Sequence, residues 1–190
     1  MDKAKVSCYA FLDTNIINSN SFDTLSGQPT ELFRLAEMAK IVIPRTALDE
    51  PLEHKRRHFD NQMRAIKSNQ IFRLAEIDRE ILDSLNYKTL EDHLLSICDI
   101  RYDIAELRDH AEIFKTIYDL ALHNKAPFDK GSDKGFKDAC VVISIEQYLE
   151  THPEAKKALV VSDDSRVQDH FNNGEAAINC VSSIEMQLGV

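Results

Sequence analysis

The run Val6-Ser7-Cys8-Tyr9-Ala10-Phe11-Leu12-Asp13-Thr14-Asn15 decides the fold. Its apolar part, Val6 to Leu12, is too short for a helix and long enough for a buried strand. The strand stops on a carboxylate. In an open parallel sheet, ligands bind outside the carboxyl ends of the strands, so Asp13 is delivered to the edge where chemistry is done. An Asp here also has a plain structural use, capping the turn that follows.

Working outward, the same arrangement recurs. A helix over Thr30–Lys40, with Leu32, Leu35, Ala36 and Ala39 at helical spacing and Thr30 as its cap, leads into a short buried strand, Ile41-Val42-Ile43, stopped by Pro44. A polar helix follows Asp49. Residues from about 60 to 123 read as helical throughout, with Asp78 and Thr89 as caps and an apolar stripe of Ile104, Leu107, Ala111, Phe114, Ile117 and Ala121. The Gly- and Pro-containing break at 124–135 precedes a buried helix, Phe136–Glu150. Ala158–Val161 is a third strand and Ser165–Asn172 a short helix ended by Gly174. Ala177–Val181 is a fourth strand, and Ser182 with Glu185 forms a capping box for a last helix. Strands alternating with helices predict a three-layer α/β/α fold on a short parallel, Rossmann-like sheet, in one domain over 1–190.

Three further acids stand at comparable positions: Glu50 after the second strand, Asp138 in the first turn of a helix, and Asp164 after the third strand. The helix macrodipole alone favours a carboxylate in a first turn, so each acid has a structural use. Their joint placement says more. Crossings of a right-handed parallel sheet lie on one edge, and carboxylates converging there repel one another unless a cation neutralises them. Oxygen donors of this kind suit Mg²⁺ or Mn²⁺.

In this order the acids resemble those of the PIN-domain nucleases. Asp13-Thr14-Asn15 matches the family's opening motif, and Glu50 in Ile43-Pro44-Arg45-Thr46-Ala47-Leu48-Asp49-Glu50 its second acid. Asp138-Ala139 matches the third, and Ser162-Asp163-Asp164 the fourth. The stretch Lys125 to Ala139 is similar to a PIN-like bacterial subgroup. The resemblance implies a nuclease fold with the segment near 60–123 as a helical insertion, and metal-dependent hydrolysis of RNA phosphodiesters by an endoribonuclease. Asp13, Asp138 and Asp164 would serve as metal ligands and Glu50 as the fourth catalytic acid. Asn15, Ser162 and Asp163 would have secondary roles. It also implies a toxin or defence nuclease with an antitoxin or regulatory partner, and pairing as a homodimer. Pro51 disfavours a helical residue before it, which leaves Asp49 and Glu53 open as alternatives to Glu50.

Phosphate needs positive charge beside such a site. Lys125, Lys130, Lys134 and Lys137 crowd the approach to Asp138, and Arg166 follows Asp164; solvated loop charge is their ordinary reading. The net charge of −9 runs against a nucleic-acid binder judged by bulk charge, though local patches differ from the whole. A structure-specific DNA nuclease and a catalytically inactive binding module are the other readings. A phosphotransferase with Asp13 as nucleophile fits less well, because Asn15 stands where a second Asp would be wanted. Cys8, Cys98, Cys140 and Cys180 form no C-x-x-C pair and read as free thiols. No signal peptide is evident, and apolar runs such as Ala139–Ile143 fall far short of a membrane span. A cytoplasmic protein is expected.

Overall fold

The computed structural model describes residues 8–23, 29–71, 80, 84–97, 101–108, 110–128, 134–155, 157–173 and 178–183. Five strands form one parallel sheet: β1 (Tyr9–Leu12), β2 (Lys40–Pro44), β3 (Tyr102–Ala105), β4 (Ala158–Val161) and β5 (Ile178–Val181). Their order is β3-β2-β1-β4-β5. Phe11 stands opposite Val42 on one side and Val160 on the other. The described helices are α1 (Thr14–Ile17), α2 (Thr30–Met38), α3 (Arg45–Ser68), α4 (Tyr87–Ile97), α5 (His110–Leu122), α6 (Phe136–Thr151) and α7 (Ser165–Asn172). The architecture is the three-layer α/β/α fold expected from the alternation of strands and helices.

Every residue of β1 is buried, as a central strand covered on both faces must be. Phe11, Leu12, Ile16, Leu32, Val42 and Ile145 are among the side chains that fill the core around it. A second apolar cluster, Ile113, Ile117 and Phe128 against Ala139, Cys140 and Ile143, fastens α5 to α6. Strand order runs one way from β1 through β2 to β3 and resumes on the far side of β1 with β4. That reversal opens a crevice at the carboxyl ends of β1 and β4, the place where such sheets take ligands.

Four expectations are corrected. The segment near 60–123 is not helical throughout: Tyr102–Ala105 pairs with β2 as an edge strand, Ile104 beside Ile43. Four residues between helical patterns give too little periodicity to betray a strand. The apolar stripe of α5 is shifted, with Ile113 and Ile117 buried and Phe114 exposed. Helix α3 begins at Arg45, directly after β2, and carries Pro51 inside it. Ala47, Leu48 and Pro51 are buried on its inner face, and this packing outweighs the backbone hydrogen bond that proline forfeits. The caps also differ. Pro29 precedes α2 without a side-chain cap, and Asn86 Oδ1, not Thr89, accepts at the start of α4, from the Thr89 amide at 2.9 Å. Asp78, Lys130, Gly174 and the expected last helix lie outside the described residues. Cys8, Cys140 and Cys180 are free thiols.

Candidate active site

Asp13 leaves β1 and caps α1, its Oδ1 accepting from the Thr14 amide at 2.6 Å. It is 3% exposed. Its Oδ2 accepts from the Ser162 hydroxyl at 2.5 Å and from Asn15 Nδ2 at 3.3 Å. Ser162 Oγ in turn accepts from the Asp164 amide at 3.1 Å, and Asn15 Oδ1 accepts from the Asp163 amide at 3.3 Å. The ends of β1 and β4 are thus laced together by short polar side chains, which fixes the carboxylate of Asp13 in place.

Asp13, Glu50, Asp138 and Asp164 all line one open cleft of about 530 Å³, together with Lys134, Lys137 and Arg166. Helix α3 carries Glu50 to the cleft and α6 brings Asp138 in its first turn. Asp164 caps α7. Of the alternatives to Glu50, Glu53 pairs with Arg56 at 2.9 Å, and neither it nor Asp49 lines this cleft.

The electrostatics follow from burial and crowding. Burial pushes the Asp13 carboxyl above its ordinary value; the Ser162 and Thr14 hydrogen bonds oppose this, and Asp164 and Glu50 add to it. Burial also raises Asp138; Arg166 opposes, and Asp164, Asp13 and Glu50 add to the rise. Asp164 is lowered, first by hydrogen bonds from Arg166. Arg166 bridges the two acids, at 3.0 Å from Asp138 Oδ2 and 2.5 Å from Asp164 Oδ2. The two ends of the bridge differ because Asp164 also accepts from the Arg166 amide and Nε, at 2.8 and 3.0 Å. Lys137 Nζ meets Glu50 Oε1 at 2.6 Å.

Among the described residues, no three acidic, histidine or cysteine side chains are drawn together closely enough to encircle an ion. Two acids share a guanidinium and a third an ammonium. The donor set nevertheless fits a hard divalent cation: the cleft offers carboxylate oxygens, and among its described lining residues there is neither thiol nor imidazole. A cation already attracted between Asp138 and Asp164 marks where positive charge is wanted.

Two residues singled out in the sequence stand elsewhere. Lys125 is exposed and outside the cleft lining. Asp163 turns away, accepting from the Ser183 hydroxyl at 2.8 Å. Conversely, Thr14 of the opening motif lines the cleft, as do Asn18 and Phe136, to which the sequence assigns no role. Thr14 and Asn18 lie four apart across one helical turn, a spacing that puts both on one face.

A family described as PIN domain matches residues 10–166 of the chain, a span that contains all four cleft acids. No curated protein matches.

Proposed function

The chain belongs to the PIN domain family, a nuclease-type fold, and from that premise we propose that it is a metal-dependent endoribonuclease. The observation that carries this reading is the cleft at the strand-order reversal, lined by four acids from separate stretches of the chain together with two lysines and an arginine. Asp13, Asp138 and Asp164 would hold Mg²⁺ or Mn²⁺, which when bound lowers the pKa of a water and stabilises charge on a phosphodiester. Thr14 and Ser162 hold the Asp13 carboxylate rigid, so its orientation is set before substrate arrives. Glu50 orients the attacking water. Arg166 and Lys137, cationic neighbours of the acids, turn toward a phosphate once the acids have another counter-charge.

The test is cleavage of single-stranded RNA and DNA by purified protein in Mg²⁺, Mn²⁺ or EDTA. RNA cut only with the metals, and uncut by Asp13→Asn and Asp138→Asn, is the expected result. The bridging of Asp138 and Asp164 by Arg166 favours a second reading, a binding module whose acids are neutralised from within. Intact RNA under all conditions, with no metal-dependent melting shift, supports that alternative. A toxin or defence role, with a partner protein restraining the enzyme, predicts growth inhibition on expression that Asp13→Asn relieves.

A further inference from the structure

Phe136 is 57% exposed at the entrance of α6, yet it lines the cleft that holds the four acids. It lies one turn before Ala139 and Cys140, on the stripe that Ile113 and Ile117 of α5 cover, and it is left outside that cover. Its backbone is held in place. Gly135, with φ +118°, presses so closely on the preceding loop that a Cβ there would stand 2.4 Å from the Pro127 carbonyl oxygen and 2.9 Å from Phe128 Cα. An aromatic ring kept in water, anchored at its base, and flanked in sequence by Lys134 and Lys137 has the make-up of a base-stacking platform: a π-face for the base and cations for the strand.

We infer that Phe136 stacks on an unpaired base of the bound strand, beside the phosphodiester that is hydrolysed in the acidic cleft. This rests on the nuclease reading. Stacking needs a base freed from a duplex, so a strand lacking the base, or one already paired, gains nothing from the ring.

The chain contains no tryptophan, so Phe136→Trp installs a single fluorescent reporter at the site. Binding is measured on short single-stranded RNA with Ca²⁺ in place of Mg²⁺ to slow hydrolysis. Phe136→Ala is expected to weaken binding about tenfold or more. Phe136→Trp should keep the affinity and lose fluorescence as RNA binds. Phe114→Ala, which removes a still more exposed ring of α5 outside the cleft, should bind as wild type. On RNA carrying abasic sites, the gap between wild type and Phe136→Ala should close. A Phe136→Ala variant that matches wild type on intact RNA overturns the inference while leaving the nuclease reading in place. A wild type that neither binds nor cuts RNA overturns both.

Discussion

At the strand-start end of the sheet, Asp103 of β3 accepts from Lys40 Nζ at 2.5 Å and from the Tyr148 hydroxyl at 2.9 Å. At the strand-finish end, Asp13, Asp138, Asp164 and Glu50 line one cleft, whose described residues include fewer cations than carboxylates. The consequences for Asp103 and for the pair Asp13 and Asp138 run in opposite directions, while Asp164, held by Arg166, is lowered like Asp103. Burial opposes ionisation of Asp103, but the bonds from Lys40 and Tyr148 prevail and hold it below the usual carboxylate range. Burial and the Asp103 hydrogen bond push the Tyr148 hydroxyl up to about 12. Asp13 and Asp138 are raised instead. One end spends its acid on structure. The other leaves the charges of Asp13 and Asp138 disfavoured by burial and by neighbouring acids, the condition that a bound cation relieves.

The sharpest way to break this comparison is to neutralise one acid at each end. Asp13→Asn and Asp138→Asn are expected to lower RNA cleavage on the order of 10²-fold or more with the fold intact by circular dichroism. Asp103→Asn should leave the cleavage rate unchanged. Stability should move the other way. Asp103→Asn is expected to cost about 1–2 kcal/mol, read from the urea midpoint at constant m-value, because it weakens a Lys40 contact and a Tyr148 hydrogen bond. The partial exposure of Lys40 and Asp103 keeps the effect this small.

Acid titration separates Asp103 from Asp13 by sign. Asp103, with its depressed pKa, contributes stability that is present above its unfolded value near 4 and lost as pH falls through the lower folded value. Asp13, with its raised pKa, holds its proton more tightly folded than unfolded, so stability grows as pH falls through the raised folded value toward the unfolded value near 4. In EDTA, Asp103→Asn should flatten the loss below pH 4, and Asp13→Asn should flatten the gain above it. Equal slopes in wild type and both variants would contradict the contrast.

A smaller effect belongs to His170 of α7. Its Nε2 meets Glu146 Oε1 at 2.9 Å and its Nδ1 meets the Ala126 carbonyl at 3.1 Å. Both partners only accept, so both ring nitrogens must donate and the ring is charged. Burial disfavours that charge, but the Glu146 and Ala126 bonds raise the pKa. The stability this gives is full below the unfolded value near 6.5 and fades as pH rises through the folded value. Wild type and His170→Gln should therefore differ by about 1 kcal/mol in mildly acidic solution and converge at alkaline pH.

The contrast between the ends also shows what was legible in the sequence. Tyr9–Leu12 announced itself because four apolar residues in a row ran into Asp13, and the helix pattern of α6 placed Asp138 in its first turn. Edge strand Tyr102–Ala105 did not, since burial there is partial and only Ala105 is fully enclosed. Pro51 pointed to a helix start that tertiary packing overrode. Arg166 was recognisable as a cation near Asp164, but its reach to Asp138 spans 28 residues of chain and depends on α6 and α7 meeting. Phe136 looked like the first apolar residue of a buried helix. It stands outside the cluster that joins α5 to α6 and is exposed in the cleft instead.

The central claim is that the cleft acids share a divalent cation, and calorimetric titration with Mn²⁺ addresses it without any substrate. Wild type and Asp103→Asn should bind Mn²⁺ saturably and alike, while Asp13→Asn and Asp138→Asn bind at least about tenfold more weakly. Wild-type protein that takes up no Mn²⁺, or cleft variants that bind it as tightly as wild type, would contradict the account.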